Sequence, residues 1–158
     1  MKWPMHSLKS VGLIQTGTTP STENESFWNG ETPFITPADL DLPAPITSSM
    51  RSLSDAGRNV ARIVNKDSVL ICCIGSLGKI GLAGRSLAIN QQINSISFDP
   101  NKVDYLYGYF ACQKLKRELV KIAPATTIPI VRKSKFELLE IPLPPFPSNA
   151  ASPRSWTR

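Results

Sequence analysis

A continuous apolar run from Ser68 to Ile74 constrains the fold of this chain more than any other feature. The run reads SVLICCI, and Asp67 and Gly75 bound it. It fits a β-strand with both faces buried, because a half-buried strand would alternate apolar and polar residues. Other elements must therefore cover this strand from both sides.

Glycines punctuate the chain at every third position after this run, at Gly75, Gly78, Gly81 and Gly84. They favour tight turns between paired strands, because glycine readily adopts positive φ. A backbone that approaches a phosphate is the alternative. The segment GSLGK is not a P-loop, because Ile80 stands where that motif requires Ser or Thr.

Apolar residues at three- and four-residue steps predict one amphipathic helix over residues 103–122, and Pro124 marks its end. The apolar stripe consists of Val103, Leu106, Tyr107, Phe110, Ala111, Leu115, Leu119 and Ile122. We expect this helix to be the prominent one in the domain.

The remaining segments predict short elements. We expect a strand over residues 8–16, a long loop over residues 17–33 and a short helix near residues 52–57. Residues 86–98 predict a strand that a polar segment interrupts at residues 90–92. The spacing of Ser134 and Glu137 is that of a capping box and predicts a helical turn. Prolines confine residues 138–146 to an edge strand or an extended exit. This pattern favours a single α+β domain with a curved mixed β-sheet.

Composition excludes several classes of protein. The 158 residues are 41 % hydrophobic and 19 % charged, which argues against wholesale disorder. No apolar stretch approaches the roughly 20 residues of a membrane-spanning helix, and the first ten residues lack a signal peptide's apolar core. We therefore expect a cytoplasmic location.

The cysteines are interpreted as core residues. Cys72, Cys73 and Cys112 are odd in number, and the first two are adjacent in the apolar run, which argues against a disulfide framework. Only His6 could join them as an imidazole ligand, so we expect no zinc site. No cofactor is expected either.

The formal net charge of +6 is concentrated between residues 114 and 135. The cations there are Lys114, Lys116, Arg117, Lys121, Arg132, Lys133 and Lys135, opposed only by Glu118. Such an excess either meets phosphates by counterion release or forms an ordinary solvated face.

Eight short motifs, in sequence order, resemble the target-recognition domain of type I restriction-modification specificity subunits. They are Gly17-Thr18-Thr19-Pro20, Phe27-Trp28-Asn29-Gly30, Pro33 to Asp39, Asp67 to Ile74, Leu77-Gly78-Lys79, Ile89-Asn90-Gln91, Tyr105-Leu106-Tyr107 and Ile141 to Pro145. Each motif is weak singly, and the resemblance covers about residues 5–147.

The resemblance implies sequence-specific recognition of double-stranded DNA without catalytic activity. In that family a subunit carries two recognition domains, separated by long helices that bind the methyltransferase and restriction subunits. This domain would recognise one half of a bipartite target, and those partner subunits would supply the chemistry. No methyltransferase motif of the N-P-P-Y kind occurs in this chain.

The tail after Pro147 departs from the family pattern. Synonymous codons can be chosen for residues 147–158 so that the same bases, read from the third base of the first codon, encode E-Q-R-R-I-A-A-E-L-D-Q. That sequence is similar to the start of the family's first spacer helix. We infer a one-base frameshift near Pro147, with residues 1–147 as the recognition domain and residues 148–158 as a disordered, out-of-frame tail. Loss of the spacer helix would impair partner binding, and sequencing of the gene tests this inference.

Residues of several kinds are expected at the DNA. Lys79, Lys133 and Lys135 are predicted phosphate contacts, and Arg132 suits either phosphates or bases. The resemblance places further polar residues on loops near the recognition face; they are Thr18, Thr19, Thr36, Asn90, Gln91, Thr126 and Thr127. The amides at residues 90–92 could equally cap strand ends. Trp28 either wedges against a base or, as we favour, pins the long loop to the core.

Three alternatives remain open. The domain could be a truncated, non-functional remnant, because specific affinity usually comes from two joined half-sites. It could be a protein-interaction module that uses the apolar segment of residues 138–146. An enzyme is least favoured, because the sequence shows no carboxylate cluster beside a lysine, no Cys-His placement and no metal-ligand spacing.

Overall fold

The apolar run forms a fully buried strand in the computed structural model, which describes residues 2–145. Within the described residues the elements, in chain order, are β1 Met5–Ser7, α1 Leu8–Val11, β2 Gly12–Thr16, β3 Trp28–Ile35, β4 Arg51–Leu53, α2 Asp55–Val60, β5 Ile63–Val64, β6 Val69–Cys72, β7 Ile80–Leu82, β8 Leu87–Ile89, β9 Ile93–Phe98, α3 Tyr105–Cys112, α4 Lys116–Ile122, α5 Lys133–Phe136 and β10 Glu140–Pro142.

The strands form two four-stranded sheets and one two-stranded sheet. The first sheet has the order β2-β9-β6-β7 and is antiparallel throughout. The second has the order β4-β3-β8-β5, in which β3 and β8 run parallel and the other pairs antiparallel. Strands β1 and β10 pair antiparallel and join the two ends of the described chain. The prediction of an α+β fold with mixed pairing is confirmed, although the strands divide among three sheets.

Strand β6 is buried on both faces because two different cores meet it. Val69 and Ile71 face a core built with α3 and α4, whereas Leu70 and Cys72 face a core built with the second sheet. This division follows the two-residue period of a strand. The outer face of the second sheet carries a small third cluster around Phe34, and α2 packs on β3 and β4. The layers are therefore helix, sheet, sheet and helix.

The predicted helix over residues 103–122 is present as α3 and α4, joined by a 3₁₀ turn at Gln113–Leu115. Asp104 caps it: its Oδ1 accepts hydrogen bonds from the backbone N–H groups of Leu106 at 3.0 Å and Tyr107 at 3.3 Å. Helix α3 packs on β6, β7 and β9. Most of the predicted stripe is buried or half-buried, whereas Leu106 and Ile122 are each 40 % exposed.

Two predictions near the N-terminus are wrong in part. Residues 12–16 of the predicted strand are present as β2, but residues 8–11 form helix α1, which brings Leu8 and Val11, three residues apart, to one buried face. The predicted loop over residues 17–33 contains a 3₁₀ turn at Glu25–Phe27 and then most of β3. A bulge lies in this strand between Trp28 and Thr32, where Asn29 has a φ of +65°.

The interrupted strand over residues 86–98 is two strands in two sheets, since β8 belongs to the second sheet and β9 to the first. The short helix predicted near residues 52–57 begins later, as α2, because residues 51–53 pair with β3.

The glycine turns between paired strands are present, because β6 and β7 form a hairpin in which Gly75 and Gly78 have φ of +82° and +87°. The predicted turn near residue 134 exists as α5, but Arg132 occupies its N-cap and no side chain caps it. The edge strand predicted over residues 138–146 is β10, and Phe146 and the predicted tail over residues 148–158 lie outside the described residues.

The three cysteines are free and buried, as predicted. Burial raises the pKa of the Cys112 thiol to about 12 and that of Cys73 to about 12, and burial also raises the pKa of Cys72. No helix of the described residues has the length and apolar character needed to cross a membrane.

Candidate nucleic-acid interface

The turn at residues 90–92 links the two sheets and organises a polar face around it. The backbone N–H of Gln92 donates to Asn90 Oδ1 at 3.0 Å, and Asn90 Nδ2 donates to Gln92 Oε1 at 3.1 Å. Asn90 is only 6 % exposed, whereas Gln91 is exposed. The amide of Asn90 therefore builds the turn, and Gln91 presents its side chain outside it.

The loop after β2 docks on this turn. Gly17 and Thr18 donate backbone hydrogen bonds to the carbonyls of Ile93 and Ile89, each at 3.0 Å. The Thr19 hydroxyl donates to Oε1 of Gln91. A Cβ atom at Gly17 would lie 2.0 Å from the carbonyl oxygen of Asn90, so this close approach requires glycine. Thr18 and Thr19 are exposed at the docked loop.

Thr36 lies beside the same turn at the end of β3. The backbone N–H of Asn90 donates to the carbonyl of Ile35 at 3.0 Å. The backbone N–H of Thr36 donates to Asp39 Oδ2 at 2.9 Å, and the Thr36 hydroxyl donates to the same oxygen at 3.3 Å. Thr36 is half-buried, so its hydroxyl is partly committed to the 3₁₀ turn that follows.

The β6–β7 hairpin joins the face on its other side. Gln92 Nε2 donates to the carbonyl of Ile74 at 3.3 Å, and the Cys73 N–H donates to the carbonyl of Gln92 at 2.7 Å. Lys79 is half-buried in the hairpin and lines a cleft of about 520 Å³ together with Lys116 and Pro129. This cleft places two cations beside an apolar floor.

The segment that follows the Thr126–Thr127 loop pairs with the hairpin: the Gly75 N–H donates to the carbonyl of Pro129 at 2.9 Å, and Ile74 and Ile130 form an isolated antiparallel bridge. Both threonines are exposed, and the hydroxyl of Thr126 donates to the carbonyl of Ile128 at 2.7 Å. The loop therefore adjoins the hairpin and not the turn at residues 90–92 itself.

The predicted cations of α5 form a separate group. Val131 donates its backbone N–H to the carbonyl of Cys73 at 2.8 Å, which ties the start of α5 to the hairpin. Arg132, Lys133 and Lys135 are exposed, and none of them forms an ion pair with the described residues. The structure thus brings Thr18, Thr19, Asn90 and Gln91 together and places Thr36 beside them. Lys79 and α5 are connected to this group through the hairpin.

Sequence reasoning missed a stacked cation at the far end of the docked loop. The guanidinium carbon of Arg51 lies 3.9 Å from the ring centroid of Trp28. Trp28 Nε1 donates to the carbonyl of Ser21 at 3.0 Å, and the Trp28 ring meets Phe34 edge to face at 5.2 Å. These contacts support the interpretation that Trp28 pins the loop. Arg51 lies in a polar segment without periodicity, so no sequence signal marked it.

No group of three or more His, Cys, Asp or Glu residues within residues 2–145 is placed to hold a metal ion. The raised thiol pKa values keep the cysteines protonated at neutral pH, so they are poor nucleophiles and poor metal ligands. The polar groups of the face are hydroxyls, amides and cations, which suit hydrogen bonding to phosphates and base edges.

Comparisons with known proteins agree on one family. The model of the family described as the type I restriction modification DNA specificity domain matches residues 1–150. The MjaIX specificity subunit of Methanocaldococcus jannaschii, a type I restriction enzyme subunit, is 30 % identical over 147 residues, or 90 % of this chain and 34 % of that protein. The HindI specificity subunit of Haemophilus influenzae is 30 % identical over 146 residues, or 90 % of this chain and 32 % of that protein.

Two solved structures show the same fold. The HsdS subunit from Thermoanaerobacter tengcongensis superposes with a TM-score of 0.74 at 20 % identity, over 99 % of this chain and 36 % of that one. The type I restriction-modification S subunit from M. genitalium superposes with a TM-score of 0.64 at 19 % identity, over 89 % of this chain and 34 % of that one. The chain therefore spans about a third of the length of the proteins that it matches.

Proposed function

Because the chain belongs to the family of type I restriction modification DNA specificity domains, we propose that it recognises one half of a bipartite DNA target. The family predicted from the motifs is confirmed, and so is the assignment to specificity components and not to catalytic subunits. Methyl transfer and cleavage would then reside in the methyltransferase and restriction subunits of the same system.

The observation that carries the proposal is the polar face around the turn at residues 90–92. The docked loop supplies exposed hydroxyls at Thr18 and Thr19, and the turn supplies the exposed amide of Gln91. Such groups suit base edges in the major groove, where hydroxyls and amides discriminate between base pairs. Because the loop and the turn hold each other by backbone hydrogen bonds, these groups are positioned before DNA binds.

Lysines on α5 and in the hairpin support binding to the phosphates of DNA. Lys133 and Lys135 are exposed on α5, and Lys79 lies at the hairpin beside the turn. Each is free of carboxylate partners among the described residues, so its charge is available to a phosphate. We assign these lysines to backbone contacts, with Arg132 serving phosphates or bases.

We propose a recognition domain over residues 1–147 and an out-of-frame tail over residues 148–158, which sequencing of the gene tests directly. We also propose that loss of the spacer helix impairs binding to the partner subunits, and that the protein acts in the cytoplasm on double-stranded DNA.

Fluorescence anisotropy on labelled duplexes of random sequence tests the proposal. Binding at about 50 mM salt that weakens steeply towards about 200 mM is the expected result, because bound lysines release counterions. A chain that binds no duplex even at low salt would instead be a remnant or a protein-interaction module. Metal-dependent cleavage of plasmid DNA would contradict the non-catalytic assignment.

A further inference from the structure

Arg51, Trp28 and Phe34 form the Arg51 cluster, and Met50 lines the adjacent cleft together with Trp28 and Arg51. The Arg51 guanidinium carbon lies 3.9 Å from the Trp28 ring centroid and 5.7 Å from that of Phe34. The two rings are nearly perpendicular, at 86°. Stacking on an aromatic face fixes the plane of a guanidinium and restricts its rotamers.

The backbone beneath Arg51 is fixed as well. The Phe34 N–H donates to Ser49 Oγ at 3.1 Å, and the Ser49 hydroxyl donates to the carbonyl of Arg51. Arg51 also pairs with Phe34 across the β3–β4 ladder. Its side chain therefore rises from a rigid strand and not from a mobile loop.

The donors of this guanidinium have no partner among residues 2–145. Arg51 is exposed, and its guanidinium makes no hydrogen bond or ion pair with the described residues. Glu25 lines the same cleft of about 460 Å³ without pairing to it. A planar fork of N–H groups, held in place and unused, is prepared for a ligand with two acceptors side by side.

The cluster is continuous with the candidate interface. The loop that contacts the turn through Thr18 and Thr19 ends at Trp28, whose Nε1 donates a hydrogen bond to the carbonyl of Ser21. Phe34 pairs with Arg51 on one side and with Ala88 on the other, so Arg51 lies two strands from Ala88, which is two residues before the turn. Two strand spacings and two residues along β8 place Arg51 about 12 Å from the turn, or about three to four base pairs along a duplex. Met50, 94 % exposed, adds an apolar side chain suited to a thymine methyl group.

We propose that Arg51 determines part of the target sequence by donating hydrogen bonds to O6 and N7 of a guanine in the major groove. This assignment rests on the proposed function. Guanine presents two adjacent acceptors there, which match the fixed fork of the stacked guanidinium. Trp28 positions Arg51 and does not itself contact the base.

The test compares Arg51→Lys and Arg51→Gln with the unmodified chain, each used to select duplexes from the same randomised pool. The unmodified chain is expected to enrich a guanine that both variants no longer enrich. On the duplex selected by the unmodified chain, each variant should bind about tenfold more weakly or worse. Arg51→Lys keeps the charge, so its affinity for random duplexes should stay within about twofold.

Arg85→Lys is the matched control, because Arg85 is exposed, forms no ion pair among the described residues and precedes β8 at the end remote from the turn. It should leave both sequence and affinity unchanged, and thermal melts should show all variants folded. An unaltered sequence preference in both Arg51 variants would overturn the assignment, as would an equal loss of affinity on every sequence. If the unmodified chain bound no duplex, the proposed function would fail first and this assignment with it.

Discussion

At the scale of single residues, the adjacent amides Asn90 and Gln91 have different surroundings. One is buried and hydrogen-bonded within the turn, and the other is exposed. Asn90 is buried and both ends of its amide bond Gln92, whereas Gln91 is exposed and meets Thr19. Both were predicted to contact DNA. Exposure favours Gln91 as the residue that meets a base edge, and we propose that Asn90 shapes the turn that presents it.

Replacement of each amide should therefore have a different effect. Asn90→Ala leaves the Gln92 N–H without its acceptor, so the free energy of unfolding should fall by about 1–3 kcal/mol in urea titrations. Gln91→Ala should stay within about 0.5 kcal/mol of the unmodified chain while changing its preference among duplexes. Equal destabilisation by the two variants would contradict this division.

The buried thiols predict a loss of stability at alkaline pH. Burial raises the pKa of Cys112 to about 12 from an ordinary value of 9.0. Above pH 9 the unfolded chain therefore loses this proton while the folded chain keeps it, and stability falls as pH rises towards 12. The loss is up to about 1.4 kcal/mol per pH unit for each such thiol.

Cys112→Ala checks this expectation. Its free energy of unfolding should start lower, because a buried side chain is shortened, but should fall less than that of the unmodified chain between about pH 8 and pH 10. Urea titrations at the two pH values measure the difference. The same decrease in both proteins would show that Cys112 does not cause the alkaline loss.

At the scale of secondary structure elements, α5 is a short helix whose burial and charge lie on different sides. Phe136 is buried, while Arg132, Lys133 and Lys135 are exposed and the backbone before them is tied to Cys73. A helix held in this way presents its cations in a fixed place next to the hairpin. It is therefore suited to set the position of the phosphate backbone.

Charge reversal on α5 tests this role. Lys133→Glu and Lys135→Glu should weaken binding to all sequences alike and should each lower the slope of log K against log salt by about 1. Lys66→Glu is the control, because Lys66 is exposed near the start of β6, at the end remote from the hairpin turn. A sequence-dependent loss in the α5 variants, or an equal loss in the control, would contradict the assignment.

How far an element could be predicted depended on where its partners lie. Strand β6 and the helical region of residues 105–122 could be predicted because the apolar pattern of each segment indicates which of its own residues are buried. Helix α1 was not, because its N–H groups at Leu8 and Lys9 bond the carbonyls of Leu139 and Glu137, far along the chain. Strand β3 and the division of residues 87–98 between two sheets were hidden for the same reason.

The residues of the candidate site also differ in how far the sequence could predict them. The motifs marked Thr19 and Gln91 as polar residues in loops, and the structure joins them by a hydrogen bond. The stacking of Arg51 on Trp28 arises from the pairing of β3 with β4 and had no sequence pattern of its own. Propensity and spacing report what a residue needs locally, and long-range register decides which residues share a face.

At the scale of the whole molecule, one core joins the two four-stranded sheets and another joins the first sheet to α3 and α4. The candidate interface lies where the chain crosses from one sheet to the other. The turn at residues 90–92, the docked loop and the hairpin all contact at that crossing. The domain covers about a third of the length of its relatives. One module offers few contacts, so its specific affinity should be modest compared with that of a two-domain protein.

Selection of bound duplexes from a randomised pool tests the central claim most directly, because it reports both binding and sequence preference. The unmodified chain, residues 1–158, should enrich one short continuous motif, which binds more tightly than a scrambled duplex of equal length at the same salt. Enrichment of no motif, with equal affinity for selected and scrambled duplexes, would contradict the claim that this domain recognises a DNA sequence.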